Sequence, residues 1–258
     1  MIQRPFLQER LHQIEDLLCE QGRVSVAELS ERFEVSPVTV RNDLATLELQ
    51  GRLIRTHGGA VPRTETNRDL PAFALRKELH LPEKERIGRA AAALVRDGEA
   101  IALDASTTAW QAARNLKNRR ELTVVTNGLF VALEFLDSPG VTIVMPGGSL
   151  RPESASLVGD MGASILDRYH VQKAFFGAGG FTIEEGLTDT SQYEVQLKRS
   201  MAKRSKEVIA IVDSSKWGQV AFASLATVEQ LDQVITDDGA PKEMVAGLRQ
   251  RGVEVSTV

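Results

Sequence analysis

The sequence predicts an α/β protein in two parts: a small helical N-terminal unit closed by two short strands, and a larger C-terminal unit on a mostly parallel sheet. Three observations predict it. Apolar residues recur at helical spacing through the first 50 positions, a polar aperiodic stretch follows, and from Glu83 onward helical runs alternate with short β-rich runs. The expected boundaries are 1–61 for the first unit, 62–80 for a linker and 81–258 for the second. A chain of 258 residues with 42% hydrophobic and 26% charged side chains has room for both, and this composition excludes disorder and collagen-like repeats.

Leu7, Leu11, Ile14 and Leu18 give a first helix one apolar stripe, which ends near Gln21-Gly22 with the glycine suited to a C-terminal cap. A short strand is expected at Arg23-Val24. Ser25, with Glu28 three residues later, frames a capping box that opens a second helix holding Leu29 and Phe33 inside. After the tight connection Glu34-Val35-Ser36, a serine cap followed by Pro37 starts a third helix that runs toward Gln50. On that helix Val40, Leu44 and Leu47 share the inner face, so Val38, Asn42 and Ala45 face outward with Thr39 and Arg41 on the flanks. Residues 52–61 read as two short strands around Gly58-Gly59, a small wing.

A short helix, a tight turn and a capped helix with small polar residues on its outer N-terminal face make a helix-turn-helix, whose second element lies in a DNA major groove. Ser36, Val38, Thr39, Arg41 and Asn42 are the candidates to meet phosphates and base edges, arginine favouring guanine and asparagine adenine. Arg52, Arg55 and His57 on the wing are candidates for the flanking backbone or minor groove. Bulk charge gives no support, since 31 basic against 35 acidic residues leave a net charge of −4, so any DNA contact has to come from a local patch. Four acids of the first unit, Glu9, Glu15, Asp16 and Glu20, lie on the first helix, which need not face a groove. The competing reading is a plain helical cap in which Arg41 and Asp43 form a solvated pair.

In the second part strands are expected at 100–103, 122–125, 141–144, 173–176, 208–212, 234–236 and 253–255. Asp104-Ala105-Ser106-Thr107-Thr108 follows the first of them and precedes a helical run. Small hydroxyl residues at a helix N-terminus present N–H and O–H donors at the positive end of the dipole, a cradle for phosphate or carboxylate. Turns with glycine or small polar residues also follow later strands: Thr126-Asn127-Gly128, Pro146-Gly147-Gly148, Gly177 to Gly180, and Asp213-Ser214-Ser215-Lys216. In an open parallel sheet such ends share one rim, where ligands bind. Lys198 and Lys216 are candidate charges for a bound anion, and Glu194 or Asp104 candidate acceptors for sugar hydroxyls. The bland alternative makes Glu194 and Lys198 a surface i,i+4 pair. Trp217 reads as packing.

Several chemistries drop out. Gly177-x-Gly179-Gly180 lacks the GxGxxG spacing, which argues against a nicotinamide cofactor. Cys19 is the only cysteine, His12, His57, His80 and His170 are scattered, and no HExxH or P-loop pattern occurs, so neither metal nor cofactor is expected. No apolar run approaches the ~18 residues of a bilayer span, and Met1 to Glu20 mixes charges through its apolar positions, so a soluble, cytoplasmic protein without a membrane partner is expected.

The run Val24-Ser25-Val26-Ala27-Glu28-Leu29, with Phe33 to Ser36, Thr39-Val40-Arg41-Asn42-Asp43-Leu44, Leu47, Gly51 and His57-Gly58-Gly59-Ala60, resembles the DeoR family of bacterial transcriptional regulators. That family commonly has a second arginine where this chain has Asn42. The resemblance implies a sensor domain related in fold to ribose-5-phosphate isomerase and sugar-phosphate deaminase-type proteins, binding a phosphorylated sugar. Asp104, Ser106, Thr107 and Thr108 match its phosphate-loop pattern, which often has glycine at the place of Ser106. Asn127, Gly147, Gly148, Thr188, Glu194, Lys198 and Lys216 match its remaining pocket motifs. The function implied is a repressor of sugar-metabolism genes, a homodimer or homotetramer on double-stranded operator DNA, tuned by the effector. The alternative is a sugar-phosphate isomerase or deaminase fused to a DNA-binding domain, with Asp104 or Glu194 as general base and a lysine steadying the enediolate.

Overall fold

The computed structural model describes residues 7–49, 52–56, 58–62 and 72–258. It divides into two compact units, Met1–Pro71 and Ala72–Val258.

The first unit runs α1 (Leu7–Gln21), β1 (Val24–Ser25), α2 (Val26–Phe33), α3 (Pro37–Leu49), β2 (Leu53–Thr56) and β3 (Gly59–Pro62). Ile14, Leu17 and Leu18 of α1 pack with Leu29, Phe33, Val40, Leu44 and Leu47 in one core. Leu11 is only partly buried and Leu7 is exposed, so the buried stripe of α1 begins after its first turn. Both bonds of the expected capping box form: Ser25 Oγ accepts from the Glu28 N–H at 3.1 Å, and Glu28 Oε2 accepts from the Ser25 N–H at 3.0 Å. The strands form an antiparallel sheet in the order β1-β3-β2, which ties the wing to the turn before α2. Gly59 is where the wing crosses β1, and a β-carbon there would run into the carbonyl of Val24.

The second unit opens with α4 (Ala72–Arg76) and α5 (Leu81–Ala93), so part of the stretch read as linker is helical. It continues with β4 (Ala100–Leu103), α6 (Thr107–Arg114), β5 (Leu122–Thr126), α7 (Leu129–Leu133), β6 (Val141–Val144), β7 (Ser149–Arg151), β8 (Ser156–Val158), α8 (Asp160–Leu166) and β9 (Val171–Phe176). Then come β10 (Gly180–Thr182), β11 (Gly186–Asp189), α9 (Gln192–Lys203), β12 (Ser205–Ile211), β13 (Ala223–Ala226), β14 (Gln233–Thr236), α10 (Lys242–Gln250) and β15 (Glu254–Thr257).

Seven strands form one sheet in the order β15-β14-β12-β9-β4-β5-β6, every pair parallel. Successive side chains leave a strand on opposite faces. Thus Ile101, Leu103, Phe175, Ile209 and Ile211 join Ile87, Ala109, Ala112 and Val131 on one face. Ala102, Phe176 and Ala210 join Leu166, Leu197, Met201 and Leu248 on the other. Burial on both faces is why these strands read as continuous apolar runs. Two features were not expected from the sequence: the hairpin β7-β8 and the small antiparallel sheet β10-β11-β13. Among the described residues no helix is long and apolar enough to cross a membrane, and no group of His, Cys, Asp and Glu is placed to hold a metal ion.

Candidate functional site

In the first unit α3 presents Val38, 62% exposed, with Arg41 and Asn42 also exposed. At its start the Ser36 hydroxyl accepts from the Thr39 N–H at 3.1 Å and lies 2.9 Å from the Thr39 hydroxyl. Asp43 overturns the solvated-pair reading. It is buried and bound by Arg10 of α1, with Nε 2.5 Å from Oδ2 and Nη2 3.0 Å from Oδ1, which raises the Arg10 pKa above its ordinary value. The pair fixes the back of α3 to α1, so the face carrying Arg41 and Asn42 is held outward. Arg52 Nε lies 2.5 Å from Glu15 Oε1 and so anchors the wing to α1. His57 and the side chain of Arg55 lie outside the described residues.

In the second unit the rim loops after β4, β9 and β12 surround a cavity of about 410 Å³. These strands are consecutive in the sheet, so their carboxyl ends converge. Ser106, Thr107, Thr108, Glu194, Lys198 and Lys216 line it. Ser106 caps α6, its hydroxyl accepting from the Ala109 N–H at 3.1 Å. Capping satisfies one first-turn donor, and the N–H groups of Thr107 and Thr108 have no acceptor within the helix. Both residues line the cavity. Gly177 abuts this loop, and a β-carbon there would come within 2.5 Å of the Ser106 side chain.

Asp104 lies behind the wall, fully buried. Its Oδ1 accepts from the Ser106 N–H at 3.0 Å, and its Oδ2 from the Gly177 N–H at 3.0 Å and from Lys198 Nζ at 2.7 Å. Lys198 Nζ also binds Asp189 Oδ2 at 2.6 Å and the Gly177 carbonyl at 3.2 Å. Burial opposes the lysine's charge, but Asp104, Asp189 and Glu194 outweigh it and raise its pKa above the ordinary value. Burial likewise opposes ionisation of Asp189, yet Lys198 holds its pKa low. The surface i,i+4 pair is therefore absent: Lys198 is 2% exposed and bridges two strands' loops. All its donors are spent within the protein, so it organises the wall.

Asn127, Gly147, Gly148 and Thr188 are not brought to the cavity wall. Asn127 Nδ2 donates to the Leu157 carbonyl at 3.2 Å, stitching the end of β5 to β8. Gly147 and Gly148, with φ of 77° and 119°, form the turn before that hairpin. The Thr188 hydroxyl donates to the Gly180 carbonyl and accepts from the Ala221 N–H at 2.8 Å. Gly147 and Gly148 follow β6, the edge strand, whereas Asn127 follows β5, which pairs directly with β4, and its bond to Leu157 turns it toward the hairpin. Trp217 is packing: its indole N–H donates to Thr236 Oγ1 at 3.1 Å and its ring meets Phe181 edge-on.

Sequence reasoning missed Arg76, His80, Lys84, Arg151, Asp189 and Asp213, all on the wall. Arg151 comes from the hairpin β7-β8, where it donates to the Ser191 hydroxyl and lies 3.8 Å from Glu194 Oε1. Lys84 is the second buried lysine, its pKa pulled down to about 8 chiefly by burial. Asp189 and Asp213 had a signal in the sequence, Asp189 beside Thr188 and Asp213 at the head of the Asp213-Ser214-Ser215-Lys216 turn.

The family model of the DeoR-like helix-turn-helix domain matches residues 10–66, and that of the DeoR C-terminal sensor domain matches 79–238. The chain belongs to the DeoR family. Within that family of transcriptional regulators it is 38% identical over 247 residues to the HTH-type transcriptional regulator GolR of Listeria innocua, covering 96% of this chain and 97% of the relative. It is 31% identical over 248 residues to the glycerol-3-phosphate regulon repressor of Escherichia coli, covering 96% and 97%. Among solved structures it is similar to ribose 5-phosphate isomerase A of Methanocaldococcus jannaschii, at 22% identity and a TM-score of 0.38, with 52% of this chain and 53% of that one covered. A likeness of that depth carries nothing about activity.

Proposed function

We propose that this DeoR-family regulator is a cytoplasmic repressor of sugar-metabolism genes whose grip on operator DNA is set by a phosphorylated sugar bound in the cavity of the Ala72–Val258 unit. The observation that carries the reading is a helix N-terminus with two uncommitted N–H donors beside Lys84, Lys216 and Arg76 in one cavity. An anion is favoured there by both dipole and charge. Ser106, Thr107, Thr108 and Lys216 meet the phosphate, Glu194 accepts from hydroxyls, and Asp104 and Lys198 hold the loops in place. A relative named for glycerol-3-phosphate supports a phosphorylated effector.

On the DNA side Ser36, Val38, Thr39, Arg41 and Asn42 enter the major groove, while Arg52, Arg55 and His57 approach the flanking backbone. Operator reading by this motif uses two recognition helices, so the working species is a homodimer or homotetramer. The commitment of Asp104 and Lys198 to one another favours binding over turnover, because neither is held ready for proton transfer. Control requires that the effector bind the DNA-competent and incompetent states unequally. Thermal-shift screening of sugar phosphates, followed by titration of the chain onto DNA upstream of its own gene, tests the reading. It expects one compound to raise Tm and to alter DNA affinity; a panel without any stabilising compound removes the effector claim.

A further inference from the structure

An ammonium group removed from water is stable only where opposite charge or enough acceptors meet it. The cavity contains two buried lysines, and they differ in this respect. Lys198 carries two carboxylates of its own. Lys84, in the first turn of α5, is 4% exposed and lines the same cavity. Its Nζ donates to the carbonyl oxygens of Arg76 and Leu79, each at 2.6 Å. Among the described residues no carboxylate lies within ion-pair distance of it.

The charges felt by Lys84 come from three elements. Asp213 in the loop after β12 and Glu83 on its own helix favour the ammonium, whereas Lys216 in that loop and Arg76 on α4 oppose it. Asp213 is itself engaged, accepting at Oδ1 from the Ser215 N–H at 3.1 Å and from the Ser215 hydroxyl. The wall also holds His80, Arg151, Glu153, Asp189 and Glu194; Lys198 neutralises Asp189, and Arg151 lies 3.7 Å from Glu153 and 3.8 Å from Glu194. Two carbonyls use two of the three N–H positions of an ammonium, which leaves one uncommitted. The first turn of α6 lines the same cavity, so its N–H donors stand on the same wall as the third N–H position of Lys84.

We propose that Lys84 receives the anionic end of the effector and takes up a proton as the effector binds. The proposal rests on reading the cavity as an anion site. The step forms one N–H bond, with the proton drawn from solvent onto the amine lone pair, and breaks no bond in the protein. In the empty cavity the amine is charged mostly below pH 8, where burial has placed its titration. A dianion favours the charged form, so affinity is full below that pH and is lost as pH rises through it.

Sulfate is a suitable probe because it stays a dianion throughout pH 7 to 9. Calorimetric titration of sulfate into the full chain, with chloride holding ionic strength constant, is expected to give a dissociation constant about tenfold larger at pH 9 than at pH 7. At pH 8, heats in buffers of different ionisation enthalpy should report uptake of about half a proton per sulfate bound. Lys84→Arg should keep binding and lose the pH slope. Lys84→Met should bind weakly at both pH values. Affinity independent of pH in the parent chain, or a slope that survives in Lys84→Arg, overturns proton uptake at Lys84 while leaving the anion site standing. Failure of the folded parent to bind sulfate at any pH overturns the anion site and the proposal with it. Should the variants not fold, the pH slope and buffer heats of the parent decide alone.

Discussion

Replacing Lys198 by methionine keeps the length of the side chain and removes its charge. Asp104, with 0% exposure, and Asp189 then share a low-dielectric site without the ammonium that each contacts at 2.7 and 2.6 Å. Breaking a buried ion network by deleting one partner costs about 3–5 kcal/mol, most of it from the charge left behind. For a unit the size of Ala72–Val258 the entropy of unfolding is about 0.4 kcal/mol/K at ~2.1 cal/mol/K per residue, so Tm should fall by about 8–13 °C at pH 7. Differential scanning calorimetry of the full chain reads this directly. The pH dependence has a definite sign. Asp189 is held below its ordinary pKa, so the stability it contributes is present above the unfolded value of about 3.9 and is lost as pH falls through the folded value. The gap in Tm between parent and variant should therefore narrow from pH 5 to pH 3. A Tm within about 2 °C of the parent at pH 7, or a gap that widens in acid, would refute the assignment of Lys198 as the charge that organises the wall.

Three further outcomes are expected. Arg10→Met strands Asp43 behind the recognition helix and should destabilise the first unit by about 2 kcal/mol, seen as an earlier helical transition in urea by circular dichroism. Thr107→Val keeps the β-branched shape in the first turn of α6 but removes a hydroxyl from the cavity wall, and should weaken sulfate about tenfold or more in calorimetry with Tm little changed. Arg41→Ala removes an exposed cation from the recognition helix, and should lower operator affinity by about 1–3 kcal/mol in fluorescence anisotropy, leaving stability within about 0.5 kcal/mol.

Legibility in the sequence followed the physics of each element. The recognition helix was readable because its start carries local chemistry: a serine cap, a proline in the first turn and an apolar stripe formed by Val40, Leu44 and Leu47. The seven-stranded sheet was readable because strands buried on both faces are short apolar runs. Strands β10, β11 and β13 were not, because Gly180–Thr182, Gly186–Asp189 and Ala223–Ala226 are short and each carries a single large apolar side chain, Phe181, Leu187 and Leu225, too few to show alternation. The cradle of Ser106 to Thr108 announced itself as a hydroxyl cluster after a strand. Lys84 did not, since a lysine in the first turn of an amphipathic helix looks like any solvated charge until tertiary packing buries it. Lys198 was noticed for its spacing from Glu194, yet its partners, Asp104 and Asp189, are set by which loops the sheet order brings together. The same long-range ordering took Gly147 and Gly148 to the edge of the sheet, while the hairpin β7-β8 claimed Asn127 through Leu157.

The central claim is that occupancy of the cavity changes the grip on DNA. The direct measurement takes the sugar phosphate that raises Tm most and titrates the full chain onto its promoter DNA with and without that compound at fixed salt. Coupling of the two sites requires a change in dissociation constant of about fivefold or more, absent in Lys216→Met. A compound that stabilises the chain yet leaves its DNA affinity unaltered would contradict it.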